Sequence, residues 1–265
     1  MGSRHVAADD PISASASGDS GALPLTGERT VPGVAAENYW FRRHEVVYEW
    51  ARSLVEDHRV LEVGCGEGYG TALLAETARQ ILGVDYDALT VAHARAAYPA
   101  ASFVRGNLAH LPIASGSIDV LVTLQVIEHV WNHPEFLGEC RRVLRPEGRM
   151  LVSTPNRLTF SPGLDAPVNP FHTKEFSAAE LEQLLTRCGF VVEAVSGLHA
   201  GERLTALDAA HGGSFVEAQL AVPPSGWSAG LRSDVAGIRA DDFAVAGAAE
   251  RDVDTALDLV VLARA

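Results

Sequence analysis

The run Leu61-Glu62-Val63-Gly64-Cys65-Gly66-Glu67-Gly68 decides the fold. A short apolar stretch meets an acid and breaks into three glycines at alternate positions, and a helical pattern over 69–78 follows. Glycine lets bare backbone approach a ligand there and lets the turn take a positive φ that a Cβ would oppose. The dinucleotide fingerprint Gly-x-Gly-x-x-Gly is not met, because Tyr69 and Thr71 stand where its third glycine would fall. The pattern that is met is acid-x-Gly-x-Gly-x-Gly, with a second acid, Asp85, closing the next strand. A carboxylate at that place can accept both hydroxyls of an adenosine ribose.

Outward from this run, strands and helices alternate. Strands are expected at Arg59–Val63, Gln80–Asp85, Ser102–Arg105, 117–124, 149–154, 190–195 and 256–262, with helices over 69–78, 88–98, 135–144 and 177–188. Short apolar strands separated by helices of this length give an α/β fold, here a seven-stranded, mostly parallel sheet with helices on both faces. Ser177 with Glu180 three residues on forms a capping box for the last helix. A further helical pattern covers 37–54. Residues 1–22 carry almost no large apolar side chain and read as a disordered tail, leaving 23–265 as one domain. Residues 198–242, with Gly212-Gly213 and Pro223-Pro224, read as an irregular insertion that covers the substrate.

The formal charge is −13, which argues against a nucleic-acid partner. Lys174 is the sole lysine, a bias that codon usage in a GC-rich genome explains. No apolar run suits a bilayer and no basic-then-apolar leader opens the chain, so no membrane association and a cytoplasmic location are expected. Cys65, Cys140 and Cys188 lack metal-ligand spacing and read as reduced thiols.

From Asn38 to Ala265 the chain resembles the class I S-adenosylmethionine-dependent methyltransferases, with their Rossmann-like fold. The resemblance implies S-adenosylmethionine as cofactor and S-adenosylhomocysteine as product. By it, Glu62, Gly64, Gly66 and Gly68 contact the methionyl end and Asp85 binds the ribose. Asn107, followed by Leu108, stands where the family often has an Asp against the adenine; an amide oxygen can still accept a hydrogen bond.

After the fourth strand comes Gln125-Val126-Ile127-Glu128-His129-Val130. It resembles the Glu-x-x-Glu-His element of metal-dependent O-methyltransferases, in which a later histidine completes a divalent-metal site. His172, in Asn169-Pro170-Phe171-His172, matches that position. Glu128, His129 and His172 are therefore expected as metal ligands, with Mg2+ the implied ion, and as the catalytic set. The first acid of the element is Gln125 here, which offers an oxygen but no charge. Two other readings stay open: Gln125 touches the cofactor while His129 acts as a metal-free base, or Glu128-His129 only caps the next helix. An alcohol is a poor nucleophile at neutral pH, so a cluster of this kind points to O-methylation. Tyr39, Trp40, Trp131, Phe171 and Trp227 are candidate aromatics at the mouth, and His133 and Arg42-Arg43 could also face it.

Three stretches, 23–30, 37–44 and 169–176, resemble a narrower actinobacterial group, the sugar 1-O-methyltransferases of methylmannose polysaccharide synthesis. That implies a magnesium-dependent enzyme methylating the anomeric hydroxyl of a short methylated mannoside, with an oligosaccharide as its partner. A homodimer is the candidate assembly. The alternatives are a phenolic, quinone-precursor or natural-product acceptor, and, from another class, a non-catalytic cofactor-binding partner protein.

Overall fold

The computed structural model describes residues 29–164 and 166–265. The tail expected over 1–22 and all but the end of the 23–30 stretch lie outside the described residues. Eight strands form one sheet in the order β3-β2-β1-β4-β5-β8-β6-β7. They are β1 (Arg59–Val63), β2 (Gln80–Asp85), β3 (Ser102–Arg105), β4 (Ile118–Leu124), β5 (Leu144–Pro155), β6 (Val191–Ala200), β7 (Phe243–Gly247) and β8 (Asp258–Arg264). The first five pair in parallel; β8 runs antiparallel to both β5 and β6, and β7 is antiparallel to β6.

The expectation of seven strands is thus corrected to eight. The added edge strand, Phe-Ala-Val-Ala-Gly, carries too little β-branched or aromatic character to stand out before its partner β6 is known. β6 also continues five residues beyond the expected end at Val195.

The helices are α1 (Asn38–Val55), α2 (Tyr69–Ala75), α3 (Ala88–Ala97), α4 (His133–Val143), α5 (Arg157–Phe160), α6 (Ala178–Arg187), α7 (Glu202–Ala210), α8 (Phe215–Leu220) and α9 (Ala229–Ala236). The sheet is buried on both faces, and alternate strand residues serve different cores. Leu61, Val63, Leu121, Met150 and Val152 pack with α4 and α6 on one side. Val60, Val120, Val122 and Leu151 pack with α1, α8 and α9 on the other. α6 opens with the expected capping box between Ser177 and Glu180.

Residues 198–242 are not irregular. They hold the end of β6, three short helices and two 3-10 turns, at Pro224–Gly226 and Ala240–Asp242. Each helix is too short and too weakly amphipathic to announce itself against the glycine and proline pairs between them. The segment is tied to α1: the Asn38 side-chain amide donates to the carbonyls of Val235, Ala236 and Ile238 at 2.9–3.2 Å. No helix of the described residues is long and apolar enough to cross a membrane.

The strand order reverses between β1 and β4. Open α/β sheets bind ligands at such a switch point, beyond the carboxyl ends of the strands. The glycine run follows β1 and Gln125 follows β4, so both stretches singled out in the sequence converge there.

Candidate active site

Glu62 points to the α1 and α2 side of the sheet, is 1% exposed, and lies under the glycine loop. Its Oε1 accepts a hydrogen bond from the Tyr48 hydroxyl of α1 at 2.6 Å, and its Oε2 accepts from Thr71 of α2. Tyr48 reaches it only because residue 70 is glycine, where a Cβ would lie 2.1 Å from the phenol ring. Burial outweighs both hydrogen bonds and pushes the Glu62 carboxyl up to about 7.

Above Glu62 the loop turns through Gly64, Gly66 and Gly68, all with positive φ. At Gly64 a Cβ would come within 2.4 Å of Val126, so this glycine lets β1 and the β4 end approach. At Gly66 a Cβ would meet nothing within 4 Å, so the backbone there borders open space. Asp85 ties the loop to β2: its Oδ2 accepts from the Gly66 amide at 2.9 Å and its Oδ1 from the Asp87 amide at 3.0 Å. From outside, Arg29 reaches across to Thr90 Oγ1 at 2.6 Å and to Asp87.

Asn107 and Leu108 line an open cleft with Tyr86, Trp131 and His129. The Asn107 side-chain oxygen accepts from the Ala109 amide at 2.9 Å, which fixes the turn after β3. Trp131 is 90% exposed at the rim of this cleft. Cys65 is a buried thiol whose pKa burial pushes up, which suits a small packing residue and not a nucleophile.

At the end of β4, Gln125 holds a left-handed backbone (φ 57°), uncommon for a residue with a side chain. Two bonds to Ser153 of β5 fix it: its amide to the Ser153 carbonyl at 2.9 Å and its Nε2 to Ser153 Oγ at 3.2 Å. The strain turns the chain so that Glu128 and His129 face the top of the sheet.

Glu128, His129 and His172 each offer a ligand atom, and these atoms all lie within 4.8 Å of one another. The sequence separates His172 from Glu128, but the fold sews them together. The amides of Thr173 and Lys174 donate to the Glu128 carbonyl at 2.6 and 3.3 Å. The Thr173 hydroxyl lies 3.0 Å from the Glu128 carbonyl and 2.7 Å from that of Val130.

The Glu128 carboxyl is buried and accepts from Thr154 Oγ1 at 3.0 Å. Burial, with the negative charges of Asp258 and Glu175 adding to it, pushes this carboxyl up to about 8. Such a site favours a cation beside it. His129 Nδ1 lies 3.0 Å from the Phe171 carbonyl, which can only accept. In neutral His129 the proton is therefore on Nδ1 and the lone pair on Nε2. His172 Nδ1 lies 2.7 Å from Glu175 Oε1, and the two imidazoles meet edge to face at 4.9 Å. One carboxylate and two imidazoles with their second nitrogens engaged fit a divalent cation that keeps positions open for other ligands.

These residues close one end of a cavity of about 510 Å3 whose walls include Trp40, Arg43, His44, Phe171 and Trp227. The size suits a small organic acceptor. Arg43 does not offer a free charge. It is buried in a two-pronged pair with Asp258, both contacts at 2.6 Å, and also donates to the Leu257 carbonyl at 2.8 Å. Burial lowers His44 to about 4, so it is neutral at pH 7. α8 and the turn after it supply Gln219, Leu220, Pro224 and Trp227 to the wall, so part of the 198–242 segment lines the cavity.

Of the other expected residues, Tyr39 is core against Trp40, Phe215 and Phe243. His133 lies against the Ile127 carbonyl at 3.0 Å and the Phe176 ring. Arg42 pairs with Glu45. Sequence reasoning missed Tyr48, Gly70, Thr173, Glu175 and Asp258. Only Glu175 had a local signal, an acid three residues after a candidate ligand histidine.

A sheet of this order with the glycine loop and acid at its switch point defines a Rossmann-like, class I methyltransferase fold. The methyltransferase domain family matches residues 61–152. A probable S-adenosylmethionine-dependent methyltransferase of Mycolicibacterium smegmatis is 57% identical over 244 residues, 91% of this chain and 95% of its own. One of Mycobacterium tuberculosis, described in the same words, is 51% identical over 263 residues, covering 98% of this chain and 96% of that one. The chain belongs to the S-adenosylmethionine-dependent methyltransferases.

A ubiquinone biosynthesis O-methyltransferase of Rhodopseudomonas palustris is 30% identical over 162 residues, 53% of this chain and 61% of that protein. Among solved structures, a methyltransferase of Thermotoga maritima aligns with a TM-score of 0.56 at 19% identity, over 85% of this chain and 93% of its own. A [4+2]-cyclase aligns equally well, with a TM-score of 0.56 at 20% identity, over 84% of this chain and 80% of its own. The fold alone therefore does not name the reaction.

Proposed function

We propose that this methyltransferase acts on an alcohol oxygen of a sugar, with a divalent cation, Mg2+, held by Glu128, His129 and His172. The observation that carries the reading is the convergence of these three side chains at one end of a substrate-sized cavity. The cofactor is assigned to the opposite side of His129. The backbone of Gly64, Gly66 and Gly68 takes its methionyl end, with Glu62 fixing the loop from below. Asp85 takes the ribose, Asn107 and Leu108 take the adenine, and Gln125 stands between cofactor and acceptor.

Bound S-adenosylmethionine supplies an activated methyl group on a sulfonium. What the chain contributes is alignment of acceptor oxygen with that methyl and removal of the hydroxyl proton. A cation on Glu128, His129 and His172 would lower the pKa of the acceptor hydroxyl. Trp40, Phe171 and Trp227 offer rings against which the C–H face of a sugar can lie, and beside them His44 is neutral and the charge of Arg43 is held by Asp258. The acceptor proposed is the anomeric hydroxyl of a short methylated mannoside, in line with the resemblance of 37–44 and 169–176, both of which reach the cavity. Support for oxygen as the acceptor atom also comes from the name of the partial relative in ubiquinone biosynthesis.

A metal-free reading is favoured by one observation: the Nδ1–H of His129 on the Phe171 carbonyl selects the tautomer whose basic nitrogen is Nε2. The same apolar walls would suit a phenolic acceptor. Transfer of labelled methyl to mannosides, other sugars and phenols, with Mg2+ and with EDTA, separates these readings. Label on mannosides that disappears with EDTA is expected. Full turnover after EDTA would remove the metal, and label confined to phenols would remove the sugar.

A further inference from the structure

Glu175 is given no role by the resemblance and does not line the cavity, yet it is buried to 2% exposure beside His172. Its Oε1 is 2.7 Å from His172 Nδ1, and its Oε2 has no hydrogen-bond partner among the described residues. A buried carboxylate with one oxygen unpartnered is costly, and a purely structural acid would be expected to have both satisfied.

The hydrogen bonds around His172 also determine where its proton sits. Asn169 Oδ1 accepts from the Phe171 backbone amide at 3.0 Å, so the other end of that side chain must be its NH2 group. That group lies 3.0 Å from His172 Nε2 and can only donate. In neutral His172, Nε2 is therefore the acceptor and Nδ1 carries the proton, which goes to Glu175. Asn169 and Glu175 thus select the same tautomer from opposite sides of the ring.

We propose that Glu175 is a positioning residue: it holds His172 with Nδ1 protonated, which leaves Nε2 as the nitrogen able to accept a cation with Glu128 and His129. This rests on the assignment of His172 to the reacting site. When Nε2 binds a cation, the Nδ1–H becomes a stronger donor to the Glu175 carboxyl. Asn169 occupies Nε2 until that happens.

The test uses the full chain, metal-free, with 15N-labelled histidine. Long-range 1H–15N correlation, with the His172 signals assigned by comparison with His172→Gln, reads the two ring nitrogens. Wild-type protein is expected to show a protonated Nδ1 and a lone-pair Nε2. In Glu175→Ala both tautomers should populate, because a buried N–H without an acceptor costs more than the single bond from Asn169 returns. Glu175→Gln should restore the wild-type pattern through its amide oxygen. Mn2+ binding, followed by the EPR signal of the free ion, should weaken about 10–100-fold in Glu175→Ala and less in Glu175→Gln. A wild-type His172 protonated on Nε2, or a Glu175→Ala variant with wild-type tautomer and affinity, overturns the proposal. Wild-type protein that binds no Mn2+ but shows the expected tautomer removes the metal reading and leaves the positioning role standing.

Discussion

Replacing Tyr48 by Phe removes one hydroxyl from the protein and tests how the glycine loop is supported. The ring still fills its place over Gly70, but Glu62 loses the donor at 2.6 Å. A hydrogen bond to a buried carboxylate is worth ~1.5–3 kcal/mol, and one between neutral groups ~0.5–1.5 kcal/mol. For a domain of this size each kcal/mol moves the melting point by about 2–4 °C.

At pH 8, where Glu62 is ionised, Y48F should therefore melt ~3–12 °C below wild type. At pH 5.5, where a carboxyl with a value of about 7 is protonated, the loss should shrink by roughly half. The wild type has its own signature. Because the folded-state value lies above the ordinary 4.5, the contribution of Glu62 is fully present below about pH 4.5 and is lost as pH rises through 7. At ~1.4 kcal/mol per pH decade the change amounts to ~3 kcal/mol. Circular-dichroism melts of both proteins at the two pH values decide the matter. Equal losses at pH 5.5 and pH 8 would refute the claim that Tyr48 acts on the charge of Glu62.

If the cationic cofactor settles above Glu62 it favours the ionised carboxylate. Titration calorimetry at pH 7 in buffers of different ionisation enthalpy should then show net proton release, and buffer-independent heats would contradict it. Gly64→Ala drives a Cβ into Val126 at 2.4 Å and opposes a positive φ. It should cost ~1–3 kcal/mol of stability and weaken cofactor binding by calorimetry; unchanged binding would mean that the loop does not touch the cofactor. Asp258→Ala strands the buried guanidinium of Arg43 and should cost ~3–5 kcal/mol in urea unfolding, whereas a loss under 1 kcal/mol would show that Arg43 finds water instead.

The parts of this protein legible in its sequence are those set by local chemistry. β1, β2 and β3 begin and end where their apolar runs do, and the capping box of α6 is written in Ser177 and Glu180. The convergence of Glu128 and His129 with His172 was reachable only through resemblance, because no periodicity links residues 43 positions apart. Thr173 makes that link with a hydroxyl and an amide, and nothing about a threonine in a loop announces it. Tyr48 belongs in the same group: in α1 it reads as one more apolar helix position, and its role appears only when Gly70 opens the path to Glu62. β7 and the helices of 198–242 were missed for a different reason. Short elements rich in alanine and glycine acquire their structure from what they pack on, here β6 and α1, and not from their own pattern.

His129 borders two spaces at once, the 510 Å3 cavity and the open cleft beside Asn107 and Leu108. A single molecule with an adenosine-like head and a sugar- or phenol-like tail, joined by a linker short enough to pass this histidine, could lie in both. Linking the two ends makes the second contact intramolecular, so such a compound should bind far more tightly than either half alone. Under the proposed placement of cofactor and acceptor, the thickness of one imidazole sets the linker length for such a compound.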